Sequence, residues 1–422
     1  MTAPPDFAAR ALDARLERET DRPLAVAFSG GGDSLALLLA AKAWTDKAGR
    51  KLIAFTVDHQ LQAAGAEWAT WCASRAARLG VAHRTLVWGG PKPATGLPAA
   101  ARLARHRLIA EAARQAGARV ILFGHTADDV LESQAMRASG VRVSAPREWS
   151  PSPVWPEGRE LFLLRPLIAA RRAALRAWLA AHGEAWIEDP ANLDSRQPRA
   201  RARADLAAGF APDPRLDHRD ETPTFPSARI GRAGEVSIDL AALSGEPAFL
   251  AAAIACASGR ETLPRAPSVL KLFYRLTQMP QARATLGGTR ILARQGQVTV
   301  AREIGDGRQG EAPSICLAPG ETVIWDGRFE VRARAAGLTI GPLAGRAARL
   351  DRSMRDLLGG QNAICRPALP TIVDDRGEVS CPTLVRDPRI DIRGLVAARL
   401  AGASGAIQSE TNLLSCRDGE PL

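Results

Sequence analysis

Two short stretches hold the residues best suited to chemistry. The first is Ser29-Gly30-Gly31-Gly32-Asp33-Ser34, which follows the apolar run LAVAF (24–28) and precedes LALLLAAKAW, whose spacing predicts a helix. Consecutive glycines free the backbone for left-handed angles and let it approach an anion closely. Amides after a strand, with the N-terminus of the next helix, then form an anion cradle. Ser29 and Ser34 offer hydroxyls to phosphate, and Asp33, an anion beside that site, makes sense as a ligand to Mg²⁺ or to its water. No Gly-Lys-Ser/Thr follows, so the loop is not a Walker A motif. A strand-to-helix turn with a capping Asp or Ser is the plainer alternative.

The second stretch is His125-Thr126-Ala127-Asp128-Asp129-Val130-Leu131-Glu132-Ser133, at the end of the apolar run RVILFG (119–124). Asp128 and Glu132 are four apart and share a helix face, with His125 one turn earlier. Such a face suits a cation, either Mg²⁺ (on Asp128 with Asp33) or a substrate ammonium. An ammonium must lose a proton before it acts as a nucleophile, and a carboxylate or His125 could accept it. Alternatively, the carboxylates simply answer the helix dipole.

Both stretches need a frame. KLIAFTV (51–57) reads as a second buried strand ending at Asp58-His59, followed by a helix over about 64–80 and a strand near 83–87. Another helix, about 98–116, leads into RVILFG. Strands alternating with helices imply an α/β fold with a doubly wound, Rossmann-like parallel sheet. Ligands of such sheets bind at the carboxyl ends of the strands, where the polar residues collect here.

Residues 141–160, rich in Pro and Trp, are expected to be an irregular loop. LFLLRPL resumes a strand, and an Arg-rich helix spans about 170–182. Prolines at 212, 214, 223 and 226 mark a linker, which we place at 211–240 between a catalytic domain (1–210) and two smaller pieces. The first, 241–310, holds one or two amphipathic helices at 245–280 and a hairpin at 285–303. The second, 311–422, is mixed α/β with a hairpin turn at Asp326-Gly327.

The formal net charge of +11 over 422 residues suits a polyanionic partner, although only five of the 56 basic residues are lysine and coding bias can produce an Arg-rich chain. Six scattered cysteines without a CxxC argue against a zinc or iron–sulfur site and against a disulfide framework. The N-terminal stretch lacks the apolar segment of a signal peptide, and no run reaches membrane-spanning length, so a cytoplasmic protein without membrane association is expected.

SGGGDS matches the SGGxDS signature of the PP-loop ATP pyrophosphatases, which grip the pyrophosphate of ATP while a substrate oxygen attacks the α-phosphate. The second stretch resembles HxxDDQxET of the tRNA(Ile)-lysidine synthetase family, with Val130 for Gln and Ser133 for Thr. Further pieces correspond in order: Val57-Asp58-His59, Ala101 to His106, Arg165-Pro166-Leu167, Trp186 with Asp189-Pro190-Ala191-Asn192, and a tail at Arg199-Ala200-Arg201-Ala202-Arg203. The resemblance covers about residues 20–210; beyond that it extends only to the layout of two small tRNA-contacting domains.

The resemblance implies that Ser29 to Ser34, Asp58 and Arg105 bind ATP with Mg²⁺ on Asp33 and Asp128. It also implies that Asp129, Glu132, Arg199 and Arg203 meet L-lysine or tRNA, and that Asp33, His125, Asp128, Asp129, Glu132 and Arg203 carry the catalysis. Arg102 or Arg105, and one of Arg199 and Arg203, would touch phosphate or neutralise transition-state charge. The expected reaction joins L-lysine to the wobble cytidine of tRNA(Ile) with anticodon CAU, in a monomer or homodimer. Departures are Gln60-Leu61-Gln62 where Gly-Leu-Arg is usual, the short Ala138-Ser139-Gly140, and Ala200 in place of Asn. A PP-loop tRNA thiolase is the alternative enzyme, but only Cys72 lies in the catalytic domain. A catalytically inactive tRNA-binding protein is disfavoured by the intact loop and acidic helix.

Overall fold

Apolar four- to seven-residue runs, each followed by an Ala- and Leu-rich helix, dictate the first half of the molecule. The computed structural model describes residues 4–415 except 142, 144–145, 191–197, 210–227, 242, 244–246, 280 and 306–311. Ala191, Asn192, Cys416 and the four linker prolines therefore lie outside the described residues. The chain forms two units, one of residues 1–222 with 407–414, the other of 223–406 with 415–422.

In the first unit the order is α1 (Pro4–Arg15), β1 (Leu24–Ala27), α2 (Gly32–Ala48), β2 (Leu52–Asp58), α3 (Gly65–Arg78), β3 (Ala82–Val87), α4 (Leu97–Gln115), β4 (Val120–Leu122), α5 (Ala127–Ala138), β5 (Trp149–Pro151), β6 (Phe162–Leu164), α6 (Arg172–Ala181) and α7 (Pro198–Ala207). The sheet runs β3-β2-β1-β4-β6-β5, parallel except for the edge strand β5. Ala25, Phe55, Ile121 and Leu163 bury the middle of the sheet, because helices cover a parallel sheet on both faces. Strand order reverses between β1 and β4, and a cleft at their carboxyl ends is the expected ligand site of such a sheet.

Two elements depart from expectation. Trp149–Pro151 is a short antiparallel strand where irregular structure was expected, and it tolerates proline because it lies at the edge. Residues 407–414 return to this unit through Glu410, whose fully buried carboxylate receives Arg50 Nη1 and Nη2 at 2.7 Å each. The rest of that guanidinium is satisfied by the carbonyls of Arg22 and Glu17.

The second unit is mixed α/β. A five-stranded antiparallel sheet contains β7 (Ala228–Ile230), β8 (Val236–Asp239), β9 (Ala282–Leu286), β10 (Thr289–Arg294) and β11 (Gln297–Arg302), in the order β7-β8-β11-β10-β9. Its first two strands fall within the range expected as linker. The expected hairpin at 285–303 is β10 and β11 in register. Of the two helices within 245–280, α9 (Ala266–Gln278) is amphipathic, whereas every residue of α8 (Pro247–Ala257) from Phe249 onward is buried, so α8 is a central helix and not an amphipathic one. A four-stranded and a three-stranded sheet follow, the latter holding the Asp326-Gly327 turn between Thr322–Trp325 and Phe329–Ala333. Among the described residues no helix is long and apolar enough to cross a membrane.

Candidate active site at the ends of the central strands

The loop between β1 and α2 uses its glycines unequally. Only Gly30 takes a left-handed angle, φ 83°, and its carbonyl accepts from Ile187 N–H at 2.9 Å. Gly31 is the extended N-cap of α2 (φ −68°, ψ 158°), and Gly32 is already helical. Thus the three glycines do not all supply positive φ; they clear side chains from the approach to a helix N-terminus. Ser34 Oγ closes the loop, donating to the Gly31 carbonyl at 2.9 Å and accepting from Ser29 N–H at 3.2 Å. The Ser29 and Ser34 hydroxyls stand 3.2 Å apart.

Next to β1, strand β4 delivers α5. Thr126 is its N-cap, and Asp129 reaches back to the Thr126 N–H (2.9 Å) and hydroxyl (3.0 Å). Asp129 Oδ2 therefore serves the start of the helix, a capping-box role beside the helix-dipole alternative. Asp129 and Glu132 are nevertheless buried, the latter 1% exposed, and buried carboxylates require cations.

Those cations are arginines. Arg172, at the start of α6, donates from Nε to Asp33 Oδ2 at 2.9 Å and from Nη1 to Glu132 Oε1 at 2.9 Å; its Nη2 lies 3.5 Å from Asp129 Oδ2. Both oxygens of Asp128 are engaged, one by the Arg172 N–H at 2.7 Å and one by Arg171 Nη2 at 3.0 Å. Helix α7 packs on α5 through Ala202 against Ala135 and Met136. That contact brings Arg203 Nε to Glu132 Oε1 at 2.7 Å and Arg199 Nη1 to within 3.5 Å of Asp129 Oδ1. Residues one turn apart on α7 thus face residues one turn apart on α5.

Burial pushes the Asp33 carboxyl up, and Arg172 opposes the shift. Burial also works against the Arg172 charge, yet Asp33, Glu132 and Asp129 hold its proton more firmly than usual. Among the described residues, Asp33 Oδ1 and Glu132 Oε2 remain buried without a hydrogen-bond partner.

A second charge group surrounds His125. Burial, then Arg165, Arg105, Arg102 and Arg199, drives its pKa far down, so the ring is neutral, and its buried Nδ1 has no partner among the described residues. Burial and neighbouring arginines bring Arg105 and Arg165 down to about 10 each, and the Nε of each is buried and unpartnered. Crowded, desolvated guanidinium groups suit a phosphate. Asp58 stands at the carboxyl end of β2, where its Oδ1 accepts from Gln60 N–H at 2.9 Å. Gln60 takes φ 52° there, which explains why glycine is usual at this position in the family it resembles.

The structure therefore gathers Asp33, His125, Asp128, Asp129, Glu132, Arg199 and Arg203 at one strand switch, while Asp58 is held in its own turn. The sequence singles out no role for Arg172 beyond its place in the Arg-rich helix expected at about 170–182; the signal available was four carboxylates, two of them buried, that need cations. Cys72 lies beneath the loop, 3.0 Å from where a Gly30 side chain would begin, and burial pushes its thiol up to about 11. It keeps its proton and is a poor nucleophile. Among the described residues, no three His, Cys, Asp or Glu side chains form a ready metal cage.

A family model described as a PP-loop domain matches residues 6–209. The tRNA(Ile)-lysidine synthase of Caulobacter vibrioides is 44% identical over 407 residues, covering 95% of this chain and 98% of that protein. Proteins of the same name from Hyphomonas neptunium and Rhizobium meliloti are 36% and 34% identical, covering 77% and 76% of this chain and 93% and 75% of theirs.

Proposed function

The chain belongs to the tRNA(Ile)-lysidine synthase family, and we propose that it ligates L-lysine to the wobble cytidine of a tRNA(Ile) with anticodon CAU, at the expense of ATP, in the cytoplasm. The observation that carries this reading is the meeting of a phosphate cradle with a buried acid cluster at adjacent strand ends.

The amides of Gly30 to Asp33 and the α2 N-terminus hold the leaving pyrophosphate. Mg²⁺ fits through one hard oxygen, the orphaned Asp33 Oδ1, since both Asp128 oxygens are already engaged. Bound there, the ion would supply neutralisation of phosphate charge, with Asp33 as its protein ligand. Arg105 and Arg165 stabilise negative charge on the α-phosphate or the tRNA backbone.

The cytosine carbonyl oxygen attacks the α-phosphate, releasing pyrophosphate and leaving cytidine as its AMP adduct. The lysine ε-amine then adds at the activated carbon, AMP departs with that oxygen, and the amine gives up a proton. Glu132 Oε2 is the buried acceptor for it; His125, expected from the sequence as an alternative base, is held neutral among four arginines and is too weak a base for that step. The same Glu132 oxygen can receive the amine while it is still an ammonium.

ATP cleavage provides the test. AMP and pyrophosphate release should require the CAU-bearing tRNA, and Asp33→Ala should abolish both while leaving tRNA binding intact. Rapid AMP release without tRNA would overturn cytidine as the group adenylated, and tRNA binding lost in Asp33→Ala would overturn the assignment of Asp33 to the ATP step.

A further inference from the structure

Arg172 touches four acids drawn from two helices. Its guanidinium bonds Asp33 Oδ2 and Glu132 Oε1 at 2.9 Å each and approaches Asp129 Oδ2 at 3.5 Å, while its backbone N–H bonds Asp128 Oδ2 at 2.7 Å. The backbone is fixed as well, because the Ala170 carbonyl accepts from Ala127 N–H at 2.9 Å and so ties the start of α6 to the start of α5. A planar fork with five donors can span acids in different directions; an ammonium on a flexible stem cannot hold them at set angles.

Asp33 and Glu132 each spend one oxygen on this fork and leave the other buried and, among the described residues, unpartnered. Asp33 Oδ1 belongs to the phosphate loop, Glu132 Oε2 to the acidic helix. With Arg199 and Arg203 already on Asp129 and Glu132, Arg172 is the group that bridges α2 to α5.

We propose that Arg172 is a positioning residue for the ligation: it divides the acid cluster into a loop-side oxygen, Asp33 Oδ1, and an amine-side oxygen, Glu132 Oε2, and fixes their separation. This rests on the lysine-ligation reading. ATP and lysine would then be bound in register because one side chain orients the acids that serve both. Removing it lets each carboxylate rotate, so both substrates lose their aligned partner although neither touches Arg172 itself.

The test compares steady-state kinetics of the full chain with Arg172→Met and Arg172→Lys, using tRNA transcript and labelled lysine. Arg172→Met should raise the KM for ATP and the KM for lysine together, each by about tenfold or more, as losses of supporting contacts commonly do. Arg172→Lys restores charge without the fork, and should recover thermal stability but not both KM values. A purely structural role would lower Tm and kcat while leaving both KM values at the wild-type level, and that outcome overturns the proposal. If Arg172→Met fails to fold, Arg172→Lys alone carries the comparison. Wild-type enzyme that transfers no lysine defeats the ligation reading; wild-type transfer with unchanged KM values in the variants defeats only the role of Arg172.

Discussion

Gly31 and Gly30 are neighbours with different reasons for being glycine. A side chain begun at Gly31 meets no protein atom nearer than 3.8 Å, and its backbone angles are open to any residue. At Gly30 the angle is left-handed and a side chain would begin 2.4 Å from Ile187 Cδ1. Gly31→Ala should therefore fold with stability within about 0.5 kcal/mol of wild type, as surface substitutions do, yet raise the KM for ATP, because its methyl group points where phosphate must approach. Gly30→Ala should destabilise by about 1–3 kcal/mol. Thermal unfolding beside AMP formation separates the two; equal stability losses would make both glycines merely structural. Individual residues were legible in the sequence when their chemistry was local. Ser29 to Ser34 and Asp128 to Glu132 announced themselves by spacing, whereas Arg172 did not, since its meaning lies in contacts 40 and 139 residues away.

Helices α5 and α7 form the element pair on which substrate contacts depend. Their small-residue seam, Ala135 and Ala202, lets the backbones approach so that Arg199 and Arg203 reach Asp129 and Glu132. Ala202→Leu should over-pack this seam at a cost of about 1–3 kcal/mol and lift α7 away. Lysine transfer should fall by about 10²-fold, the penalty of a misplacement near 1 Å, while ATP binding at the loop of α2 is retained. Equal losses of ATP binding and transfer would show that α7 instead supports the whole unit. Elements with long periodic runs, such as α2 and α4, were readable in advance. The edge strand β5 was not, because three residues with a proline carry no period; nor was the burial of α8 on all sides from Phe249 onward, which tertiary packing decides.

At the scale of the molecule, the sequence resolved the first unit far better than the second. Parallel strands buried on both faces write continuous apolar runs, while the second unit is built from short antiparallel strands whose pairing is set by distant partners. The net charge of +11 is a whole-molecule property that fits phosphate contacts along a tRNA, with the base read in the pocket. The central claim is that lysine ends up covalently joined to one cytidine. The most direct measurement is nucleoside mass analysis of tRNA(Ile) bearing CAU after incubation with the full chain, ATP and isotopically labelled lysine. The wobble cytidine alone should gain the labelled lysine, with one AMP released per nucleoside modified. An unlabelled cytidine, or a sulfur-bearing nucleoside in its place, would contradict it.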